Sequence, residues 1–152
     1  SLYLRDICGR EEGAPPPVDL AVEKRNGSAI RDLIAKQQVN AAHDLSDGGL
    51  AVALAEMAIA SGLGAKLEAS TSPGAHGFWF GEDQARYVVT AKASDAEPAM
   101  AALRAQNMPV QKLGVVAGKD IAIAGEPPVA VADLAKRFES WLPDYMAGSD
   151  AA

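Results

Sequence analysis

Apolar and polar positions along this chain alternate with two periods, and the period changes mark out its elements. Asp19–Gln37 is helical in pattern, with Leu20, Ala21, Ile30, Leu33 and Ile34 apolar, and Asn26-Gly27-Ser28 is placed to split it in two. Val39–Ala42 predicts a short strand. Leu50–Ala60 predicts a helix closed by Ser61-Gly62-Leu63-Gly64, where glycine suits the left-handed position past a helix end. Ala65–Ala69 reads as a strand, Ser70–Gly77 as a loop and Gly77–Gly81 as a second short strand. Arg86–Ala93 is a clearer strand, carrying Tyr87, Val88, Val89 and Thr90. Glu97–Gln106 fits a helix with Pro98 in its first turn. Val110–Ala117 and Ile121–Ala124 flank Gly118-Lys119-Asp120, a hairpin signal. Val131–Trp141 is an amphipathic helix carrying Val131, Leu134, Ala135, Phe138 and Trp141.

After the glycine-rich loop the order is strand, helix, strand, strand, helix, which is ferredoxin-like, and a helix–strand–helix–strand unit precedes it. The expected fold class is α/β (α+β), with a mixed sheet and flanking helices. Ser1–Pro17 reads as a linker or tail, because Gly9, Gly13 and Pro15-Pro16-Pro17 favour extended backbone without ladder donors. The domain proper is expected over 18–146, and Ala147–Ala152 is a small, polar tail. The chain lacks an initiator Met and opens on apolar Leu2-Tyr3-Leu4, so the expectation is a piece of a longer polypeptide whose first residues lead in from a preceding domain.

Composition narrows the function classes. The 152 residues hold 14 Lys+Arg against 20 Asp+Glu, a net charge of −6. Neutralising nucleic-acid phosphates requires the opposite balance. Hydrophobic residues make up 49%, enough for a packed core, and aromatics only 5%, so that core is mostly Ala, Val, Leu and Ile. The longest apolar run, Leu50–Ala55, falls far short of the roughly 18 residues that a spanning helix needs. No basic amphipathic stretch points to a membrane surface. Ser1–Arg10 has no apolar core of a signal peptide. Cys8 stands alone, which excludes an internal disulfide and a cysteine-based zinc site. The expectation is a soluble, cytoplasmic domain with no nucleic-acid and no membrane partner.

The chemically informative stretch is His43-Asp44-Leu45-Ser46-Asp47-Gly48-Gly49-Leu50, a polar, glycine-containing turn leading into a helix. A helix start offers unpaired N–H groups and the positive end of the macrodipole. Gly48 and Gly49 remove side chains where a phosphate would approach the backbone. Asp44 and Asp47 are hard oxygen donors suited to Mg²⁺, and Ser46 can cap the helix or donate to a phosphate oxygen. Carboxylates beside an anion site conflict until a cation is placed between them. The following helix has Glu56 as its only charge, so burial on nearly all sides is expected. A competing reading needs no ligand, because Asp and Ser are the commonest N-caps and contribute about 1 kcal/mol each. His43 by itself reads as a hydrogen-bonded structural histidine. The residues alone leave both readings open.

The stretch from His43 to Ala58 resembles the corresponding segment of the phosphoribosylformylglycinamidine synthase family, within the last domain of the synthetase subunit, and resembles the family's small form more than its large form. Val18-Asp19-Leu20 with Glu23-Lys24-Arg25-Asn26-Gly27, and Phe80-Gly81-Glu82-Asp83-Gln84-Ala85-Arg86-Tyr87, agree with it, so that the resemblance spans about Leu2 to Met146. A looser His-Asp-x-x-x-Gly-Gly form runs through the wider superfamily, aminoimidazole ribonucleotide synthetase included. The resemblance implies the C-terminal domain of that superfamily and an ATP-dependent ligase. That ligase joins glutamine-derived ammonia to formylglycinamide ribonucleotide through an iminophosphate, giving formylglycinamidine ribonucleotide, ADP and phosphate. It implies ATP and Mg²⁺ as cofactors, Asp44 as a metal ligand and Ser46 at the nucleotide, beside which the side-chain-free Gly48 and Gly49 are expected to lie. It also implies three kinds of partner: preceding domains of the same subunit, a glutaminase subunit and a small accessory subunit. The family's catalytic histidine and its main substrate-binding residues belong to earlier domains, so no catalytic residue is expected here.

Other groups carry blander readings. Glu82, Asp83 and Arg86 fit a surface ion pair better than a phosphate clamp. His76 reads as a solvated loop residue and Gly118-Lys119-Asp120 as a hairpin bend. Phe78, Trp79, Phe80, Phe138 and Trp141 read as core or domain-interface anchors, whose exposure in a piece of a larger chain would favour self-association. Two rival functions stay in view: a packing module whose turn is merely capped, and a related member of the superfamily.

Overall fold

Asp19 starts the first helix, α1 (Leu20–Ala35), its carboxylate accepting from the amides of Ala21 and Val22 at 2.9 and 3.1 Å. In a computed structural model of the chain, which describes residues 1–68 and 74–148, the further elements are β1 (Ala41–Asp44), α2 (Gly49–Ser61), β2 (Ala65–Leu67), α3 (Ala75–Phe80), β3 (Tyr87–Thr90), α4 (Ala93–Ala105), β4 (Gly114–Val116), β5 (Asp120–Ile123), β6 (Val129–Ala130) and α5 (Val131–Met146). The chain forms two compact units, Ser1–Leu54 with Ser70–Lys112, and Ala55–Ala69 with Leu113–Ala152. Part of the loop expected over Ser70–Gly77, the end of the strand expected over Ala65–Ala69, and most of the tail at Ala147–Ala152 lie outside the described residues.

In the first unit, Asn26, Ala29, Ile30 and Leu33 recur at helical spacing on the buried face of α1. Ala29, Ile30 and Leu33 meet Ala99 and Leu103 of α4 and Met108, with Val39, Tyr87, Val89 and Val110 packed at the edge. The expected break at Asn26-Gly27-Ser28 does not occur. The Asn26 amide donates to the carbonyl of Ala85 at 2.9 Å, and a Cβ at Gly27 would lie 3.3 Å from the Tyr87 hydroxyl, so the pair serves packing across the helix. β1 and β3 pair antiparallel as a two-stranded sheet. The strand expected over Val39–Ala42 therefore sits two positions later and ends on Asp44. The strand expected over Gly77–Gly81 is instead α3. Gly74, with φ 91°, leads into it, Trp79 buries itself on it, and the Arg86 guanidinium satisfies the carbonyls of Phe78 and Gly81, each at 3.3 Å. Three consecutive aromatics favour a strand locally, whereas here they form a helix whose closing carbonyls are met by the Arg86 guanidinium. Within the segment read as a linker, Tyr3–Ile7 forms a turn of π-helix, and the Tyr3 ring stacks on Phe80 at 4.5 Å.

In the second unit the strand order is β4-β2-β5-β6, with β2 antiparallel to β4 and parallel to β5. The expected hairpin across Gly118-Lys119-Asp120 is thus absent, because β2 lies between its two arms. The connection folds over Gly64, whose N–H donates to the Gly118 carbonyl at 2.9 Å and whose carbonyl accepts from Ala117 at 2.9 Å. Turn chemistry specified the bend and the intervening strand decided the pairing. α4 begins four residues earlier than expected, with Pro98 in its interior, and α5 runs past Trp141 to Met146. α2 is less enclosed than its composition implied. Leu50, Ala53 and Ala58 are buried but Val52 is exposed. On α5, Phe138, Trp141, Leu142, Tyr145 and Met146 are all more than half exposed.

Two glycines in the second unit separate close packing from backbone conformation. A Cβ on Gly64 would stand 2.2 Å from the Asp120 carbonyl oxygen, whereas one on Gly62, at φ 64°, meets open space. Gly62→Ala is expected to lower stability by about 1 kcal/mol, the cost of a left-handed alanine. Gly64→Ala is expected to lower it by more than about 2 kcal/mol, since backbone must move on both sides. Urea unfolding of the two variants beside wild type checks the order.

Candidate functional site

The β1–β3 ladder sets the site. Its register places His43 opposite Val88 and Asp44 opposite Tyr87, and Leu45 N–H donates to the Arg86 carbonyl at 3.0 Å to close it. The chain leaving β1 and the chain entering β3 thereby form two walls of a cleft of about 330 Å³, and α1 supplies a third. Glu23, Asp44, Ser46, Asp47, Glu82 and Arg86 are among its lining residues.

Asp44 stands at the rim with its carboxylate 65% exposed. His43 Nδ1 lies 2.6 Å from the Asp44 carbonyl oxygen and 3.6 Å from its carboxylate, so the imidazole is held by its neighbour. Ser46 and Asp47 are exposed on the cleft wall. Among the described residues neither of their side chains hydrogen-bonds an amide at the start of α2. Glu82 does so from across the cleft: its Oε1 accepts from Gly48 N–H at 3.1 Å and from the Leu2 amide at 2.7 Å. The side-chain acceptor at this turn comes from a residue remote in the chain, and not from Ser46 or Asp47.

The two glycines are placed differently from expectation. Gly48 and Gly49 are buried beside the cleft, and neither offers a free amide to a phosphate: Gly48 N–H is taken by Glu82 and Gly49 N–H by the Ser46 carbonyl at 3.0 Å. Both have positive φ, 78° and 67°, and a Cβ on Gly49 would lie 2.6 Å from the Gly81 carbonyl oxygen. Glycine here serves the turn and the close approach of the Phe80–Gly81 backbone.

Deeper in the cleft, the Tyr87 hydroxyl donates to Glu23 Oε1 at 3.1 Å. Burial pushes the Tyr87 pKa up, and the hydrogen bond to Glu23 adds to the rise. The second oxygen, Glu23 Oε2, is buried and meets no hydrogen-bond partner. Ala85 beside it is held at φ 63°, strained for an alanine, with its carbonyl tied to Asn26. Arg86 ion-pairs with Asp83 at 3.2 Å, as expected. Among the described residues no three His, Cys, Asp or Glu side chains converge as a preformed metal cage.

Sequence reasoning brought Asp44 and Ser46 to this cleft but missed Glu23 and Tyr87 and assigned Glu82 to the surface. Glu23 was within reach of pattern alone, because it shares the i, i+3, i+4, i+7 face of α1 with Asn26, Gly27 and Ile30. His76 is exposed on α3 with its ring 5.2 Å from that of Tyr3, and Cys8 is exposed and free.

The fold and this turn define a class. A family model described as AIR synthase related protein, C-terminal domain, matches residues 1–125, and the chain belongs to that family. More particularly, it is similar to phosphoribosylformylglycinamidine synthase subunit PurL of Methylocella silvestris, 56% identical over 149 residues, and of Bradyrhizobium sp. (strain ORS 278), 59% identical over 152. Those alignments cover 98% and 99% of this chain but 20% and 21% of the relatives, so the chain spans about a fifth of their length. Among solved structures, phosphoribosylformylglycinamidine synthase II from Thermotoga maritima aligns with a TM-score of 0.69 at 20% identity, over 79% of this chain and 22% of that one. T. maritima PurL complexed with ATP aligns at 0.61 and 19% identity, over 71% and 20%. PurLQS from the same organism aligns at 0.64 and 19%, over 87% and 24%. At these identities the likeness is one of fold.

Glu82→Ala strands two amides and is expected to cost about 1.5–3 kcal/mol, the range for hydrogen bonds to a charged group. Glu82→Gln keeps an acceptor oxygen and is expected to retain most of that stability. Guanidinium unfolding of both variants is the measurement.

Proposed function

We propose that this chain is the C-terminal domain of the small-type synthetase subunit of phosphoribosylformylglycinamidine synthase, and that it contributes one wall of a Mg²⁺–nucleotide site. The supporting observation is that Asp44 and Ser46 line an open acidic cleft without being used up as helix caps. Glu23, Asp44, Asp47 and Glu82 outnumber Arg86 around that space, so a bare phosphate is repelled and a divalent cation is attracted. A bound magnesium ion supplies charge neutralisation between carboxylate and phosphate oxygens.

In this reading Asp44 ligates the metal and the Ser46 hydroxyl donates to a phosphate oxygen. Gly48 and Gly49 contribute the shape of the turn. The 1–17 segment links to preceding domains of the subunit, 18–146 is the working domain and 147–152 is a tail. The parent enzyme uses ATP and glutamine-derived ammonia to convert formylglycinamide ribonucleotide to formylglycinamidine ribonucleotide in cytoplasmic purine biosynthesis. It does so with a glutaminase subunit and a small accessory subunit. The T. maritima assembly called PurLQS supports the multi-subunit part of that reading.

The groups that perform the chemistry belong to the rest of the subunit, so this chain holds no catalytic residue. A packing module is the second reading, favoured by the exposed apolar row Phe138, Trp141, Leu142, Tyr145 and Met146 on α5.

Calorimetric titration separates the two. Mg-ADP affinity is expected to fall at least about tenfold in Asp44→Ala, while ADP with EDTA binds both proteins alike. Equal weak binding of Mg-ADP to both supports the packing module instead. Incubated alone with formylglycinamide ribonucleotide, ATP and ammonium, the chain is expected to give no formylglycinamidine ribonucleotide by chromatography.

A further inference from the structure

We infer that the turn Tyr3–Ile7 and the residue before it form a strap that governs the order of the acidic turn. With the Leu2 amide seated on Glu82 the Gly48 amide is held, and with the strap unseated residues 46–48 loosen. The inference goes beyond the proposed function and is independent of what the cleft binds.

Glu82 Oε1 accepts from Leu2 N–H at 2.7 Å and from Gly48 N–H at 3.1 Å. Glu82 is only half-buried, so core packing does not fix its long, rotatable side chain. Ordering such a side chain costs about as much free energy as one hydrogen bond to a carboxylate returns. With two fixed donors the side chain is ordered once and gains two bonds. With Gly48 as the only donor, that bond is close to break-even. Two donors on one oxygen also compete for it, but this polarisation amounts to a fraction of a bond and is smaller than the ordering cost.

The strap has an anchor besides its amide. Tyr3 stacks on Phe80 at 4.5 Å with the ring planes 17° apart, and Leu2, Tyr3 and Leu4 are half-buried. Between Phe80 and Glu82, the Gly81 carbonyl accepts from Arg86 at 3.3 Å and lies against Gly49, where a Cβ would fall 2.6 Å away. Phe80-Gly81-Glu82 therefore touches the strap and the glycine turn together. The turn itself has room to move. Leu45 N–H is fixed to the Arg86 carbonyl at 3.0 Å and Leu50 is buried on α2. Between them Ser46 and Asp47 are exposed, and Gly48 and Gly49 sit at φ 78° and 67°. Glycine has the widest backbone freedom of any residue, so the bond at Gly48 is where a tether acts. Movement of the strap reaches Ser46 and Asp47 through one carboxylate.

Leu2 has φ −55°, which proline adopts, so Leu2→Pro deletes the donor and keeps the backbone path, while Leu2→Ala keeps the donor. Amide hydrogen exchange by NMR of the isotope-labelled chain reads Gly48, with the buried Leu33 and Leu103 as references and circular dichroism verifying the fold. Gly48 is expected to exchange about tenfold faster in Leu2→Pro than in Leu2→Ala, with Leu33 and Leu103 unchanged. Tyr3→Ala is expected to speed it by a smaller factor. In a Glu82→Ala background, Leu2→Pro is expected to have no further effect on Gly48. The same Gly48 rate in Leu2→Pro and Leu2→Ala overturns the inference. So does equal acceleration at Leu33 and Leu103, which marks general destabilisation, and so does an undiminished effect of Leu2→Pro without Glu82. If Leu2→Pro does not fold, Tyr3→Ala decides, and wild-type exchange at Gly48 in that variant overturns the inference. All of these outcomes leave the proposal for Asp44 as it stands.

Discussion

A single carboxylate oxygen, Glu82 Oε1, accepts from the backbone amide of Gly48 and from that of Leu2. The first bond satisfies the amide of the residue that leads into α2, while Ser46 and Asp47 stand exposed along the cleft. The second ties the opening residues of the chain to the same point, where Tyr3 stacks on Phe80, the last residue of α3. The accessibility of the site's polar groups and the seating of the N-terminal turn depend on one acceptor.

Around that anchor the first unit concentrates negative charge. β1 and β3 deliver Asp44 and Tyr87 to one end of a short ladder, and α1 delivers Glu23 to the same place. The buried apolar face of α1 packs on α4, which fixes the helix about its axis and so aims Glu23. Packing, register and charge are therefore one arrangement. A shift of a single residue in the ladder would turn Asp44 to the opposite face of the sheet.

The glycines of the central turn illustrate how a motif can be correct in place and different in mechanism. Gly48 and Gly49 looked like a cradle of free amides, yet both amides are engaged and Gly49 is needed because the Gly81 carbonyl lies against it. The second unit shows the same lesson in its sheet. Gly118-Lys119-Asp120 does reverse the chain, but Gly64 permits β2 to enter between the arms, so the bend closes over a third strand.

What the sequence determined by itself is local. The apolar spacing of α1, α2 and α5, the strand at Tyr87–Thr90 and the acidic, glycine-containing turn with Asp44 and Ser46 were all legible, because each depends on neighbours within a few residues. The tertiary structure decided which distant groups meet: Glu82 accepting from the amide that leads into α2, β2 separating two strands that would pair as a hairpin, and Tyr87 reaching Glu23. Periodicity records which face of an element turns inward. It carries no record of which remote amide or carboxylate lies opposite, because that follows from how the faces pack.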